Sequence, residues 1–339
     1  MRAIRNVISC PRSAGMSGSM FGIKWLSRGR AKEPQPVEPA APPPTNPALG
    51  GFESLFGQQA VQASKNLAVR GPVVVVGNCL AEMIASSLPK VPIAAKRYEF
   101  VGVPLHLKSV ADPDVRKSLS SASHVFMQAI ATQHADLIQS VIPANCGVTV
   151  YPDLALRSLW PFDVHSADRD HDPAIAAKPD APFRHHDSAL AKLRQIEPDK
   201  KKRFERYRNL DFEWASAVDR VIAAQQRFLE SIDEQTGAYM GRFIARHYKS
   251  RQLFYDSVHP SAVVFQELCD FCWRKLELPN EVPVIEGMDG FKTWSVPVHP
   301  RIAERLGLEW ASEYTRYQYG TLGEVTWGEW VRGYIDTFG

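Results

Sequence analysis

Long apolar runs are missing from this sequence, since none approaches the roughly 18 to 20 residues that a membrane-spanning helix requires. We therefore expect a soluble protein. A large excess of one charge is missing too, because 40 Lys and Arg residues stand against 37 Asp and Glu residues, a net charge of +3. Nucleic acid is not the expected partner, since a dedicated nucleic-acid binder usually concentrates a large basic excess on one face.

Cysteine is scarce, and the number of cysteines is odd. The five thiols are scattered over 339 residues, which excludes a disulfide framework and favours reduced cysteines in a reducing compartment, here the cytoplasm. Disorder of the whole chain is excluded as well, since 45% of the residues are hydrophobic. We expect one packed core with one or two appendages.

Acidic residues are rare in the first 50 positions, which hold seven basic residues and two glutamates. Residues 33–47 contain seven prolines, a composition that favours extended conformations and cannot build a core. The basic start, rich in Ser and Gly, is like that of an organellar transit peptide but lacks the apolar stretch of a secretory signal. We predict a disordered basic and proline-rich arm over 1–50.

Short β-branched segments alternate with helical patterns from residue 71 onward. Residues 71–77 are Gly-Pro-Val-Val-Val-Val-Gly, as expected for a strand buried on both faces. Further strands are predicted over 98–103, 124–128 and 147–151, and helices over 80–88, 133–141, 212–232 and 261–278. The alternation predicts an α/β fold with a doubly wound parallel sheet flanked by helices and additional helical elements.

Aromatic residues are concentrated in the last 30 positions. Sugar stacking and a layer packed over the core are the two possible roles, and packing is the favoured interpretation. The residues are Trp310, Tyr314, Tyr317, Tyr319, Trp327, Trp330 and Tyr334. We therefore divide the chain into the arm, a catalytic α/β domain over 70–310 and an aromatic-rich extension over 311–339.

Cys79 stands where the first strand gives way to its helix, in the sequence Gly77-Asn78-Cys79. Ligands of open parallel sheets bind at the carboxyl ends of the strands, so a thiol at this turn points into the expected cleft. The start of a helix also supplies backbone N–H groups and a positive dipole end, which stabilise a thiolate and a neighbouring oxyanion. The alternative, a small buried cysteine without a chemical role, is equally open from position alone.

A second candidate lies late in the chain, where Asp256 precedes His259 by three residues and Pro260 follows. An acid at this spacing, in a loop fixed by proline, can orient the imidazole through one ring nitrogen while the other faces a nucleophile. The pattern is weak alone and gains weight from Cys79. His299, which no suitably spaced acid precedes, is a weaker candidate base.

These two motifs together resemble the WcbI-like polysaccharide biosynthesis acetyltransferases, a family with the layout of the SGNH (GDSL-type) hydrolases. In that wider group a Gly-Asp-Ser block carries a serine nucleophile and a late Asp-x-x-His block carries the base. The resemblance implies an SGNH-like three-layer α/β/α fold, with Cys79 as nucleophile, His259 as base and Asp256 as its orienting acid. It covers roughly residues 70–310, including the segment 183–188.

The chain departs from the family at two points. Leu80 stands where the family commonly has Gln, so recognition of the acceptor is expected to differ. The Gly-x-Asn-Asp block of the hydrolases is absent as well. We assign Gln128, together with Asn78, to oxyanion stabilisation or substrate positioning. The alternative for Gln128 is a buried amide bonded to backbone.

The resemblance implies transfer of an acetyl group from acetyl-coenzyme A to a hydroxyl of a saccharide, nucleotide-sugar or glycan acceptor in capsule or exopolysaccharide assembly. Coenzyme A carries phosphates, which need cationic side chains or a helix start. The candidates are Arg184, His185, His186, Arg242, Arg246 and the basic run 200–203. We favour Arg184, His186 and Arg242, because the basic run is more simply a solvated helix face.

A metal is not predicted. Cys269 and Cys272 have the spacing of half a zinc site, but no second pair with zinc spacing exists, and both lie in an apolar helical pattern that favours core packing.

The role of the thiol stays open between two mechanisms. Cys79 either carries the acetyl group or only shapes a site in which His259 activates the sugar directly. A carbohydrate esterase with the same residues is an alternative, which a thiol nucleophile mildly disfavours. A catalytically inactive saccharide-binding or assembly module is another.

Overall fold

A parallel sheet of four strands forms the centre of the computed structural model, which describes residues 70–164, 172–211, 217–278 and 289–339. The strands are β1 (Val73–Gly77), β2 (Phe100–Pro104), β3 (His124–Gln128) and β4 (Gly147–Tyr151). The α/β prediction is confirmed, and the strands predicted over 124–128 and 147–151 match β3 and β4 residue for residue. The predicted arm, 1–50, lies outside the described residues.

Helices cover both faces of this sheet. The four valines of β1 alternate between two hydrophobic cores, as the period of two in a strand requires. Side chains of α1 belong to the first core and side chains of α3 and α4 to the second. The helices of this part are α1 (Cys79–Ser87), α2 (Pro92–Arg97), α3 (Pro113–Ser120) and α4 (Ala135–Gln139).

The strand order is β2-β1-β3-β4, so β2 is added on one side of β1 and β3 on the other. In open parallel sheets such a switch point leaves a crevice at the carboxyl ends of the two strands. β1 ends at Gly77, just before Cys79, and β3 ends at Gln128, so both candidate residues lie at this switch point.

One predicted helix differs from the structure. The segment predicted as a helix over 133–141 contains the short helix α4, which is preceded by a 3-10 helix (Ala129–His134) and ends two residues before the predicted end. A 3-10 turn at a helix start has nearly the same apolar spacing as an α-helix, so periodicity alone does not separate the two.

The remaining helices extend the first core beyond the sheet. They are α5 (Pro173–Ala176), α6 (Ser188–Ile196), α7 (Lys200–Arg208), α8 (Ala217–Thr236), α9 (Met240–His247), α10 (Ala262–Lys275), α11 (Pro300–Leu306) and α12 (Trp327–Phe338). The predictions over 212–232 and 261–278 correspond to α8 and α10, with 212–216 outside the described residues. Across the described part of the chain, no helix combines the length and apolar character that crossing a membrane needs.

The C-terminal aromatic residues mostly pack. A short antiparallel hairpin, β5 (Arg316–Gln318) and β6 (Glu324–Thr326), leads into α12, whose start is a capping box of Thr326 and Glu329. Five of the seven aromatic residues noted in the sequence are buried: Tyr317, Tyr319, Trp327, Trp330 and Tyr334. Trp310 is half-buried and Tyr314 is exposed.

Candidate functional site

Cys79 is the first residue of α1, directly after the turn that ends β1. Asn78 caps the helix, because its Oδ1 accepts a hydrogen bond from the backbone N–H of Leu80 at 2.9 Å. The turn has no room for a side chain at Gly77, since a Cβ there would lie 2.3 Å from the Tyr151 hydroxyl and 2.5 Å from Oε1 of Gln128. The thiol is half-buried at the end of the sheet.

Gln128 holds this turn from the neighbouring strand. Its Oε1 accepts a hydrogen bond from the backbone N–H of Asn78 at 2.7 Å, and its Nε2 donates to Oδ1 of Asp153 at 3.2 Å. The side chain is fully buried. Gln128 is therefore bonded to backbone, as one of the two alternatives expected. Asp153, just after β4, was not a candidate in the sequence, and burial raises the pKa of its carboxyl.

Asp256 and His259 form the predicted pair within a closed loop. Oδ1 of Asp256 accepts hydrogen bonds from the backbone N–H groups of Val258, at 2.9 Å, and His259, at 2.8 Å. Oδ2 of Asp256 lies 2.5 Å from Nδ1 of His259. The bridge between Phe254 and Pro260 closes the loop at its base. The carboxylate is thus bound to both the main chain and the ring of His259.

The pair faces Cys79. Nδ1 of His259 is bound to Asp256, and Cys79 lies close enough to the ring to act on its pKa. Burial acts to lower the pKa of His259, but the hydrogen bonds to Asp256 and Cys79, with the charges of both, outweigh it and raise that pKa to about 10. Burial acts to raise the pKa of Asp256, but hydrogen bonds from His185 and His259 hold it well below its usual range.

His185 contacts the Asp256–His259 pair, whereas the sequence analysis named it as a candidate for binding coenzyme A phosphates. Its Nε2 lies 2.9 Å from Oδ2 of Asp256, the same oxygen that binds His259. Its Nδ1 lies 3.2 Å from the hydroxyl of Tyr319. One ligand atom from each of His185, Asp256 and His259 lies within 4.8 Å of the others, a spacing that a metal ion could also use. The segment 183–188 was the sequence signal for this position.

Phe291 is a site residue that sequence analysis missed. Its ring stacks on the imidazole of His259 with 4.1 Å between ring centroids and an interplanar angle of 28°. A single aromatic residue outside any motif gives no signal in the sequence. The bond to Asp256 sets the direction in which the imidazole points, and the stack on Phe291 sets the plane of the ring.

Arg184 lies beside this site on the surface. The residue is exposed, and its guanidinium carbon lies 4.0 Å from the centroid of the Trp294 ring, a cation–π contact. The backbone N–H groups of Arg184 and His185 both donate to the Tyr319 hydroxyl at 3.1 Å. An exposed guanidinium on the residue before His185 fits the role of an anion-binding residue.

His186 and Arg242 occupy different surroundings. His186 is buried, with Nδ1 3.3 Å from the Tyr334 hydroxyl. Arg242, on α9, is exposed and pairs loosely with Asp233 at 3.9 Å. It borders a groove lined by residues of α8 and α9. Among the described residues, Cys79, Asp256 and His259 do not line this groove. Arg184 and His186 therefore flank His185, which contacts Asp256, whereas Arg242 borders a separate groove.

The remaining candidates have structural surroundings. His299 is buried and caps α11: its Nε2 lies 2.9 Å from the Tyr207 carbonyl oxygen, its Nδ1 accepts from Arg301 N–H, and burial lowers its pKa to about 4. Cys269 and Cys272 are fully buried in α10, as expected for core packing. The basic run at the start of α7 is exposed apart from its last member, Arg203.

The sequence profile of the polysaccharide biosynthesis enzyme WcbI matches residues 72–281 of the chain. That range contains the strand-end Cys79 and the loop with Asp256 and His259. The chain therefore belongs to the WcbI family of polysaccharide biosynthesis enzymes. No curated protein sequence matches it.

The fold is similar to that of a solved WcbI structure, described as the native protein without a disulfide bond between coenzyme A and one of its cysteines. The TM-score is 0.54 at 12% sequence identity, over 79% of this chain and 90% of that one. At this identity the likeness concerns the fold. The parallel sheet and its flanking helices are thus shared with a polysaccharide biosynthesis enzyme.

Proposed function

We propose that this enzyme transfers an acetyl group from acetyl-coenzyme A to a saccharide hydroxyl in capsule or exopolysaccharide assembly. The observation that carries the proposal is the group of Cys79, His259 and Asp256: a thiol at a helix start, near a histidine whose Nδ1 is bound to a buried carboxylate. This is the arrangement of an activated nucleophile, its base and the base's orienting acid. A strand-end nucleophile with a late Asp-x-x-His block also follows the SGNH layout.

In the first step the Cys79 thiolate attacks the carbonyl carbon of the acetyl thioester. The bond from that carbon to the coenzyme A sulfur breaks, the departing sulfur takes the proton from the His259 imidazolium, and an acetyl-cysteine forms. One thioester replaces another, so the step needs little driving force. The raised pKa of His259 makes the imidazolium the resting form at neutral pH, which supplies this proton.

In the second step the same histidine acts as a base. Acetylation removes the Cys79 charge and hydrogen bond, both of which raise the pKa of His259, so that pKa falls when the acetyl-enzyme forms. Neutral His259 then takes the proton of the sugar hydroxyl as the oxygen attacks the acetyl carbon. The bond to sulfur breaks, and the thiolate and imidazolium are restored.

The oxyanion of both steps would form beside the start of α1. The donors we assign to it are the backbone N–H of Cys79 and the side-chain NH2 of Asn78, since Oδ1 of Asn78 already caps the helix. Gln128 acts through Asn78, whose backbone N–H it binds. Its assignment is therefore to positioning.

Coenzyme A binding is the second part of the proposal. The related WcbI structure is described by the absence of a disulfide bond between coenzyme A and a cysteine of that protein. In this chain we assign a coenzyme A phosphate to the exposed Arg184, whose guanidinium contacts Trp294. His186 and Arg242 remain predictions for that role.

The test is an acetyl-transfer assay with wild-type protein and two matched variants, Cys79→Ser and Cys146→Ser. Acetyl-coenzyme A alone is expected to leave an acetyl group on Cys79, which mass spectrometry would map. Added sugars or nucleotide sugars are expected to increase the rate at which free coenzyme A is released. Cys146→Ser, which alters the other half-buried cysteine, is expected to behave as wild type. Transfer to sugars without acetyl-Cys79 would assign direct attack instead. Hydrolysis of acetylated sugars without use of acetyl-coenzyme A would replace the proposal with an esterase.

A further inference from the structure

We infer that His185 is a positioning residue, locked in one tautomer by Tyr319, that acts on the base His259 through their shared partner Asp256. The inference rests on the proposed function for its catalytic consequence. Its structural content, which is the location of one proton and the orientation of one carboxylate, stands on the hydrogen bonds alone.

The proton on His185 follows from the bonds of the Tyr319 hydroxyl. Its oxygen accepts from the backbone N–H groups of Arg184 and His185, both at 3.1 Å. A phenol has two lone pairs and one hydrogen, so its O–H remains to donate. The acceptor is Nδ1 of His185, at 3.2 Å. Tyr319 is fully buried, and burial raises its pKa to about 12, so it keeps this hydrogen.

The tautomer of His185 decides what Asp256 receives. With Nδ1 accepting from Tyr319, the ring hydrogen of His185 is on Nε2, which donates to Oδ2 of Asp256 at 2.9 Å. A metal ligand would need a lone pair on that nitrogen, so the three side chains are arranged as a hydrogen-bond network and not as a cation site.

Asp256 is then fixed by four hydrogen bonds. Two backbone N–H groups donate to Oδ1, and the rings of His185 and His259 donate to Oδ2. Four donors fill the acceptor positions of a carboxylate, which leaves it no freedom to turn. His185 thus holds the carboxylate oxygen that orients the base, and it does so from a segment 71 residues away in the chain.

The test uses variants at both ends of the relay. His185→Gln keeps a donor within reach of Asp256, whereas His185→Leu and Tyr319→Phe remove the donor or the lock. Tyr334→Phe is the matched control, since Tyr334 binds the adjacent His186 in the same aromatic core. Melting temperatures identify any variant that fails to fold.

Three readouts are expected. Nitrogen-15 NMR of the imidazoles is expected to show His185 protonated at Nε2 in wild type and in Tyr334→Phe, and a mixture of tautomers in Tyr319→Phe. Alkylation of Cys79 and kcat for acetyl transfer are expected to fall by at least about tenfold in His185→Leu, less than the roughly ten-thousandfold that loss of an orienting carboxylate costs. KM for acetyl-coenzyme A is expected to stay unchanged, and His185→Gln to recover most of both rates.

The outcomes separate this inference from the proposed function. Protonation of His185 at Nδ1, a stoichiometric metal ion that His185→Gln loses, or wild-type alkylation and kcat in a folded His185→Leu would each overturn it. If wild type transfers no acetyl group while the tautomer and the Cys79 alkylation rates follow the expected pattern, the proposed function fails and the positioning role stands.

Discussion

Asp256 binds His259 at two points, with Oδ1 on its backbone N–H at 2.8 Å and Oδ2 on its ring Nδ1 at 2.5 Å. A residue only three positions away is therefore fixed in both main chain and side chain by one carboxylate. Nε2 is the nitrogen that this bond leaves for another partner, and Cys79 is near enough to raise the pKa of the ring. The local sequence Asp-x-x-His thus contains the direct contacts between the acid and the base, and the residues that hold the pair from outside, His185 and Phe291, lie elsewhere in the chain.

Asp256→Asn is expected to abolish most activity while leaving the fold intact. An amide has one oxygen where the carboxylate has two, so its NH2 must face either the two backbone N–H groups or the two histidine rings. His259 then loses the tautomer with a free Nε2 lone pair, and kcat is expected to fall by roughly ten-thousandfold. Steady-state acetyl transfer measures this. His259→Ala should be at least as damaging, coenzyme A affinity should not change, and wild-type turnover in a folded His259→Ala protein would remove the histidine from the mechanism.

Cys79 is expected to be the first of the described cysteines to be alkylated near neutral pH. It is half-buried and stands at the start of a helix, near His259. Burial raises the pKa of Cys146, and raises the pKa values of Cys269 and Cys272 well above their ordinary range. Peptide mapping after limiting iodoacetamide is the measurement. Preferential labelling of Cys146 would contradict the assignment, and His259→Ala is expected to slow the labelling of Cys79 alone.

The sequence predicted the parts of this site that depend on near neighbours. Cys79 follows from a valine-rich strand and the start of its helix, and Asp256 with His259 from a spacing of three. The parts it could not predict depend on distant contacts. His185 and Tyr319 are 134 residues apart in the chain, and Phe291 reaches His259 from a separate segment. No local pattern of residues encodes such a pairing, because it is decided by how the helices pack.

Coenzyme A is expected to raise the melting temperature, with Arg184 as the main contributor. At a hundredfold excess over the dissociation constant, mass action stabilises the protein by about 2.7 kcal/mol. Arg184→Ala should reduce this shift strongly, and Arg184→Lys should reduce it less, because an ammonium keeps the charge but does not stack flat on Trp294. Added salt should weaken the shift as well. Arg242→Ala tests the second sequence prediction, and an undiminished shift in Arg184→Ala would assign the phosphates elsewhere.

Two helix caps allow a prediction about pH and stability. Asp187 caps α6 and accepts a hydrogen bond from the Tyr207 hydroxyl at 2.5 Å. Burial outweighs its hydrogen bonds and raises the pKa of Asp187 from 3.8 to about 7. Asp199 caps α7 in solvent, where hydrogen bonds from the helix N–H groups lower its pKa. The same residue type in the same local role is thus shifted in opposite directions.

The two aspartates should therefore contribute to stability on opposite sides of the pH scale. Folded protein holds a proton on Asp187 that the unfolded chain releases above its ordinary pKa, so this contribution is present below pH 3.8 and is lost as the pH rises through about 7. Asp187→Asn keeps the cap without the proton, and the decline across that window should flatten in denaturation curves. Asp199→Asn, the matched control, should leave that window unchanged and lessen only the loss of stability on the acid side. A curve for Asp187→Asn parallel to wild type from pH 4 to 7 would show that burial does not control this carboxyl group.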